Sequence, residues 1–179
     1  MVTRSGWCVK DNHVQRIDVK IAWDLGFTRD AKHAYVGRLY RELKNKLGED
    51  CGIIEEVTSA CPDEYGKQLS PLFIKLPDGR VLEDLWQEYA KHKDSFWFYP
   101  KNLKHVGEMH MYCYHAQPLL PLIRVISVFT DVFYNPEKFG STQAEGCALL
   151  KLLDQQNKLA LLYSANEFME WYFKYGRIQ

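Results

Sequence analysis

The sequence predicts an α+β fold that is rich in helices, forms one domain over residues 1–179 and has a small sheet early in the chain. Apolar residues make up 46% of the chain and aromatic residues 14%, which suits a packed core. Segments that alternate like strands come early, whereas segments with helical spacing continue to the end. No repeat, low-complexity tract or linker divides the chain.

The first half of the chain predicts three strands and one long helix. Residues 14–23 predict a half-buried strand, because apolar and charged side chains alternate along them. A helix is predicted to begin after Thr28, which can cap it, and to end near Leu47 before Gly48. Further strands are predicted over residues 51–57 and 72–76, with a turn or short helix over 61–66.

The second half of the chain predicts mainly helices. In order, they cover residues 82–93, 118–128 and 142–156, and a last one follows the capping box at 164–167. The first of them carries apolar residues three and four positions apart, and the second is apolar on nearly every side. Residues 133–136 predict a break. No structure is assigned to residues 94–117.

The composition limits the class of protein and its location. Formal net charge is zero, with 23 basic and 23 acidic side chains, so the whole surface does not indicate nucleic-acid binding. The five cysteines are scattered and odd in number, which favours reduced thiols in the cytoplasm. The longest apolar run, residues 119–129, is too short to span a bilayer, so we expect no membrane partner.

The stretch 69–87, LSPLFIKLPDGRVLEDLWQ, joins an apolar run, a turn and an amphipathic helix without a spacer. Glu83 stands in the first turn of this helix, and Trp86 and Gln87 follow one turn later. From the pattern alone, Glu83 has a plain interpretation as an exposed residue that pairs with Gln87 and suits the helix dipole. Its other interpretation is a catalytic carboxylate.

Motifs in four parts of the chain resemble the NADAR family. The stretch 69–87 is similar to that family's motif, in which a Leu-Ser-x-Phe-like segment and a turn precede a helix with Glu and Gln. Three further segments resemble the branch that is paired with DarT-type toxins. They are IAWDLGFTRDAKHAYVGRLYREL, SACPDEYGKQLS and FTDVFYNPEKFGSTQAEGCALL. The matches follow one another in order over about residues 17–155, and residues 94–117 are unmatched.

The resemblance implies a single NADAR-like domain with a defined activity. It implies an N-glycosidase that removes ADP-ribose from guanine in DNA and so acts as the antitoxin to a DarT-type toxin. The implied partners are ADP-ribosylated DNA or ADP-ribose and a cognate ADP-ribosyltransferase toxin. Such a hydrolysis requires no metal or organic cofactor.

The resemblance also implies roles for individual residues. Glu83 would be the main catalytic carboxylate and Asp131 a second acid or a group that positions water, because an oxocarbenium-like state needs nearby carboxylates. Trp86 would stack on a base. The remaining ligand contacts would come from Ser70, Phe73, Gln87, Asn135 and Gln143. Each residue also has a structural interpretation, such as a turn Asp for Asp131 and a core residue for Trp86.

Two departures from the family pattern bear on this activity. Arg80, Val81 and Leu82 precede Glu83 where the family has Ser-Val. The family often has a Lys seven residues after the Glu, and here that position is Ala90, so Lys91 would have to take its place. Two alternatives therefore stay open: a glycosidase of a small phosphorylated nucleoside or riboflavin-pathway intermediate, and a binding protein for ADP-ribose or a toxin without turnover.

Two features of the middle of the chain also have more than one interpretation. Basic and aromatic residues mix between positions 91 and 105, which suits either a nucleic-acid groove or a solvated loop with an aromatic anchor. His110, Cys113 and His115 lie close in sequence, but their spacing fits no standard zinc site.

Overall fold

The computed structural model describes residues 1–91, 104–136 and 143–176. The chain begins with a hairpin of strands β1 (Val2–Lys10) and β2 (His13–Ile21), paired from Val2 opposite Ile21 to Lys10 opposite His13. Asp11 and Asn12 form its two-residue turn with φ of 50° and 63°, which Asp and Asn tolerate better than most residues. The predicted strand over residues 14–23 is confirmed as β2.

Two short strands complete a four-stranded sheet. They are β3 (Ile54–Glu56) and β4 (Val128–Thr130), and the strand order is β2-β1-β4-β3. Strand β4 pairs antiparallel with β1 and parallel with β3. Strands β2, β3 and β4 therefore run in one direction, and their carboxyl ends meet at one edge together with the start of β1. We call this edge the carboxyl edge.

Helices make up most of the described residues, so the helix-rich α+β prediction is confirmed. The α-helices there are α1 (Arg29–Leu47), α2 (Glu64–Lys67), α3 (Leu82–Lys91), α4 (Lys104–His115), α5 (Leu120–Val125), α6 (Gln143–Gln155) and α7 (Ala165–Trp171). Short 3-10 segments cover Gln117–Leu119 and Leu159–Tyr163, and a π-helical turn covers Tyr172–Gly176. None of the helices in these ranges is long and apolar enough to cross a membrane.

The two faces of the sheet carry two hydrophobic clusters. Helix α1 packs on one face, where Tyr35, Leu39 and Leu43 are buried with the apolar side chains of β2. Gly6 allows this close approach, because a Cβ there would lie 2.8 Å from Val128 and 3.1 Å from Leu43. The larger cluster holds the buried stripes of α3, α4, α6 and α7 together with Trp7 and Phe129.

Most predicted helix boundaries agree with the structure because local signals set them. Thr28 Oγ1 accepts the N–H of Ala31 at the start of α1, and Gly48 ends that helix with φ of 97°. Ser164 caps α7 through the N–H of Glu167, as the capping box predicts. The predicted end of the third helix at Lys93 and the basic and aromatic residues from 92 to 103 lie outside the described residues.

Two of the predicted elements, over residues 72–76 and 118–128, are wrong. Residues 72–76 form a turn at 72–73 followed by irregular backbone instead of a strand, because the carbonyl of Ser70 accepts the N–H groups of Phe73 and Ile74. One isolated bridge joins Lys75 to Val81. The helix predicted over 118–128 ends with α5 at Val125, and the chain enters β4. The helix does not continue because the N–H groups of residues 127 and 128 donate to the carbonyl of Ile53, the residue before β3, and not to a carbonyl of α5.

Candidate functional site

Helix α3 begins on a loop that holds its first turn in place. The N–H of Glu83 donates to the carbonyl of Pro71 at 3.0 Å, and the N–H of Leu82 donates to that of Ile74 at 2.9 Å. Asp84 accepts the N–H of Val81. Two of the donors that a helix start leaves open are therefore satisfied by the loop backbone, which fixes the loop against the helix.

Glu83 lies half-buried at this junction. Its carboxylate accepts one long hydrogen bond, from the side-chain amide of Gln87 at 3.4 Å. No ion pair in the described ranges involves Glu83. The last acidic residue on the helix, Glu88, instead pairs with Arg80 at 2.5 Å. Glu83 therefore keeps most of its hydrogen-bonding capacity for water or a ligand.

Trp86 follows Glu83 by about one turn of α3. Its ring is partly buried against the large cluster, 6.1 Å from the ring of Tyr112. The hydroxyl of Tyr112 donates to the carbonyl of Leu69 at 2.6 Å, which ties α4 to the loop before Glu83. Within the part of the chain that the structure describes, the buried indole Nε1 of Trp86 has no hydrogen-bond partner. A buried N–H without a partner is unusual in a folded protein.

The other residues predicted around Glu83 differ in their exposure. Ser70 is buried, and its hydroxyl accepts the N–H of Leu72 at 3.4 Å, so it holds the loop. Phe73 is 50% exposed and lies in the turn that contacts α3, so its ring is available to a ligand. Gln87 is exposed and faces Glu83. Lys91 is exposed at the end of α3, about 12 Å along the axis from Glu83 and rotated by about 80°.

Asp131 lies at the carboxyl edge, directly after β4, and is buried. Its Oδ1 accepts the N–H groups of Phe133 and Tyr134 at 3.0 and 3.1 Å, which is the turn role that its sequence also allows. Burial raises the pKa of Asp131 to about 6, although these bonds and the charge of Arg4 act to lower it. Within the described ranges, no hydrogen bond or ion pair joins Asp131 to Glu83. Its role as a second acid stays a prediction.

Glu56 is a second buried carboxylate at the carboxyl edge. Its oxygens accept hydrogen bonds from the hydroxyls of Thr58 and Thr130 and from the N–H of Val132. Burial, and then the charge of Asp131, raise the pKa of Glu56 to about 8 despite these bonds. Sequence reasoning did not select Glu56. Two of its partners are 74 and 76 positions away, and no local pattern reports such contacts.

A small open cavity lies at the same edge. It has a volume of about 250 Å³, and its lining residues are Met1, Val2, Thr3, Arg4, Lys20 and Asn135. Asn135 was predicted as a ligand contact, and the structure places it in this wall together with two cations. Gln143, also predicted as a contact, is the half-buried first residue of α6.

His105 and Glu145 form a pair that sequence reasoning also missed. His105 Nε2 lies 3.2 Å from Glu145 Oε1, which is buried in the first turn of α6. Burial acts to lower the pKa of His105, but the hydrogen bond and charge of Glu145 outweigh it and raise that pKa. The ring of Tyr172 packs edge-on at 6.2 Å. The contact joins the starts of α4 and α6.

Two groups of residues have the donor types for a metal. Ligand atoms of Glu55, Cys61 and Asp63 all lie within 4.8 Å of one another. However, Cys61 Sγ donates to Glu55 Oε1, and Asp63 caps α2 through Oδ1. In the second group, His110 Nε2 lies 2.8 Å from the carbonyl of Leu162, and Cys113 donates to that of Gly146. These groups are engaged with protein partners, and we assign no ion to them.

Comparison with known proteins gives no assignment. The chain matches no model of a known protein family, and no curated protein is similar enough to count as a match. Membership of the NADAR family therefore stays a prediction that depends on the motifs.

Proposed function

We propose that the chain is an N-glycosidase that removes ADP-ribose from guanine in DNA, with Glu83 as its catalytic carboxylate. The observation that carries the proposal is the local setting of Glu83. A half-buried carboxylate outside any described ion pair lies one turn before the partly buried ring of Trp86 on the same helix. The exposed ring of Phe73 borders the same junction.

The chemistry needs one carboxylate and one water. Breaking the bond between the ribose C1 and the guanine nitrogen leaves positive charge on the sugar, which a nearby carboxylate stabilises. Glu83 then accepts a proton from the attacking water as the C1–O bond forms and the C1–N bond breaks, and it passes that proton to the nitrogen of the leaving guanine. Trp86 and Phe73 offer flat faces for a base, and Gln87 holds the carboxylate.

A binding protein without turnover is the second candidate, and one observation favours it. The carboxylate of Asp131 holds its own turn and the side chain of Lys91 is rotated away from Glu83, so neither of the predicted helper groups makes a described contact with Glu83. A protein that retains the pocket but lacks helper groups would bind ADP-ribose and release it unchanged.

The proposal is tested with an oligonucleotide that carries ADP-ribosylated guanine. Release of ADP-ribose is followed for the unaltered chain, for Glu83→Gln and for Glu88→Gln, a matched control one turn along α3. We expect Glu83→Gln to lower the rate at least about 100-fold and Glu88→Gln to leave it within about twofold. Undiminished turnover by Glu83→Gln would contradict the role of Glu83.

Two further outcomes separate the alternatives. Tight binding of ADP-ribose without release from the oligonucleotide would favour the binding protein. Turnover of free phosphorylated nucleosides or of a riboflavin-pathway intermediate, but not of the oligonucleotide, would favour the small-molecule glycosidase.

A further inference from the structure

The cavity at the carboxyl edge brings together groups that suit an anion. Arg4 comes from the start of β1, Lys20 from the end of β2, and Asn135 from the turn after β4. Three separate elements thus contribute polar side chains to one cavity. In sheets with strands that run the same way, ligands commonly bind outside the carboxyl ends of those strands.

The structure holds Arg4 rigidly. Its Nε donates to the carbonyl of Val132 at 2.6 Å, and Nη1 donates to that of Thr3 at 2.7 Å. The guanidinium lies over the ring of Trp23, 4.4 Å from its centroid, and Trp23 in turn stacks on Tyr35 at 3.9 Å. Neither of the two bonds uses Nη2. A fixed guanidinium loses little entropy when it binds an anion through its remaining donors.

The charges near the cavity leave it positive. Lys20 is exposed opposite Thr3 and has no ion pair within the described ranges. Asp131 is the carboxylate whose charge acts on Arg4. Because the pKa of Glu56 is raised to about 8, this second carboxyl group is mainly protonated at neutral pH. The nearest acidic residue on β2, Asp18, is paired with Arg16. Two cations therefore face one ionised carboxylate.

The volume of the cavity also suits a small oxyanion. A water molecule occupies about 30 Å³ in the liquid. A cavity of about 250 Å³ therefore holds several waters and has room for a phosphate group with part of its hydration shell. Its open side allows the rest of a larger ligand to extend into solvent.

The geometry points to an anion subsite at the carboxyl edge that binds a phosphate group, with Arg4 and Lys20 as its cations and Asn135 as a polar contact. The phosphate belongs to a nucleotide or to a nucleic-acid strand, which share this chemistry. The subsite goes beyond the proposed function, because a chain without turnover would bind phosphate in the same way.

The test is an NMR titration of the folded chain with inorganic phosphate, ADP and an eight-nucleotide oligothymidylate. We expect shifts of the Arg4 Nε–H and the Asn135 side-chain amide to saturate with each probe. Lys20→Gln should weaken binding about fivefold, as expected for one lost charge near a surface. Lys10→Gln, at the other end of the same hairpin, should leave binding unchanged.

The outcomes are distinct. Absence of saturable shifts with all three probes would overturn the subsite, as would equal effects of Lys20→Gln and Lys10→Gln. Tighter binding of ADP than of the oligonucleotide would support the subsite and identify a nucleotide as the source of phosphate, and the reverse order would support it with a strand as the source. Because inorganic phosphate carries no glycosidic bond, its binding is measured independently of turnover, and a failed glycosidase assay would not affect this result.

Discussion

The carboxylates of this chain lie in two contrasting environments. At the carboxyl edge, Glu56 and Asp131 are buried, and both accept hydrogen bonds from the backbone of residues 132–134. At the start of α3, Glu83 is half-buried and accepts one long bond from Gln87. The contrast teaches that a carboxylate engaged by the backbone of a turn stabilises the fold, whereas one with spare acceptors can act on a ligand.

The largest loss of stability from a single substitution is expected from Asp131→Ala. The change removes the acceptor of two backbone N–H groups and the carboxylate that faces Arg4, so we expect a loss of about 3 kcal/mol in the free energy of unfolding. Urea unfolding measures this, with the exposed Glu49→Ala as control. A loss below about 1 kcal/mol would break the contrast between the two regions.

An effect of similar size is the pH dependence of the free energy of unfolding that Glu56 causes. The folded chain keeps a proton on Glu56 up to a pKa of about 8, whereas the ordinary value is 4.5. This stabilising contribution is therefore complete below pH 4.5 and is lost as the pH rises to about 8. We expect the free energy of unfolding to fall by about 3.5 kcal/mol from this group between about pH 5 and pH 8.

The contribution of Glu56 is isolated with Glu56→Gln. Urea unfolding of this variant and of the unaltered chain should be compared at several pH values between those limits. The variant should be less stable near pH 5, because Gln has one acceptor oxygen for the three donors that the two oxygens of Glu56 accept, and its stability should depend less on pH. Identical pH slopes for the two proteins would show that Glu56 is not the titrating group.

A smaller loss of stability is expected from a change at Tyr112, whose ring packs near Trp86. Tyr112→Phe removes the hydroxyl that donates to the carbonyl of Leu69, and it should cost about 1 kcal/mol in the free energy of unfolding. Tyr65→Phe is the matched control, because Tyr65 is 66% exposed. Equal results for the two variants would mean that this hydrogen bond does not hold the loop before Glu83.

The smallest effect is expected at Glu83 itself. Glu83→Gln should change the free energy of unfolding by less than about 0.5 kcal/mol, because among the described residues the side chain has one long hydrogen bond. Thermal and urea unfolding check this on the protein used for the glycosidase assay. A loss above about 2 kcal/mol would assign Glu83 to the structural class with Asp131.

The sequence predicts elements whose signals are local. Strand β2 shows a clear alternation, and α1 and α7 carry side-chain caps that the structure reproduces. Strand β1 was missed because its residues, VTRSGWCVK, do not alternate between apolar and polar side chains. Strand β4 was read as helix, since an apolar run of that length fits either structure until a neighbouring strand supplies its hydrogen bonds.

The residues of the candidate site also fall into those with local signals and those that depend on long-range contacts. Glu83, Trp86 and Gln87 share one helix, so their relative positions follow from helical geometry, and the structure places them as expected. The links of Glu56 with Thr130 and of Arg4 with Val132 join distant parts of the chain. Such contacts depend on how strands pair across the sheet, which periodicity and caps do not determine.

The position of β1 in the middle of the sheet has a consequence for synthesis on the ribosome. Its outer partner is the adjacent strand β2, but its inner partner, β4, is made more than a hundred residues later. At elongation rates of roughly 5 to 20 residues per second, the delay is roughly 6 to 24 s. During that time the nascent hairpin presents an unpaired strand edge, so it is the segment most exposed to wrong pairing with another chain.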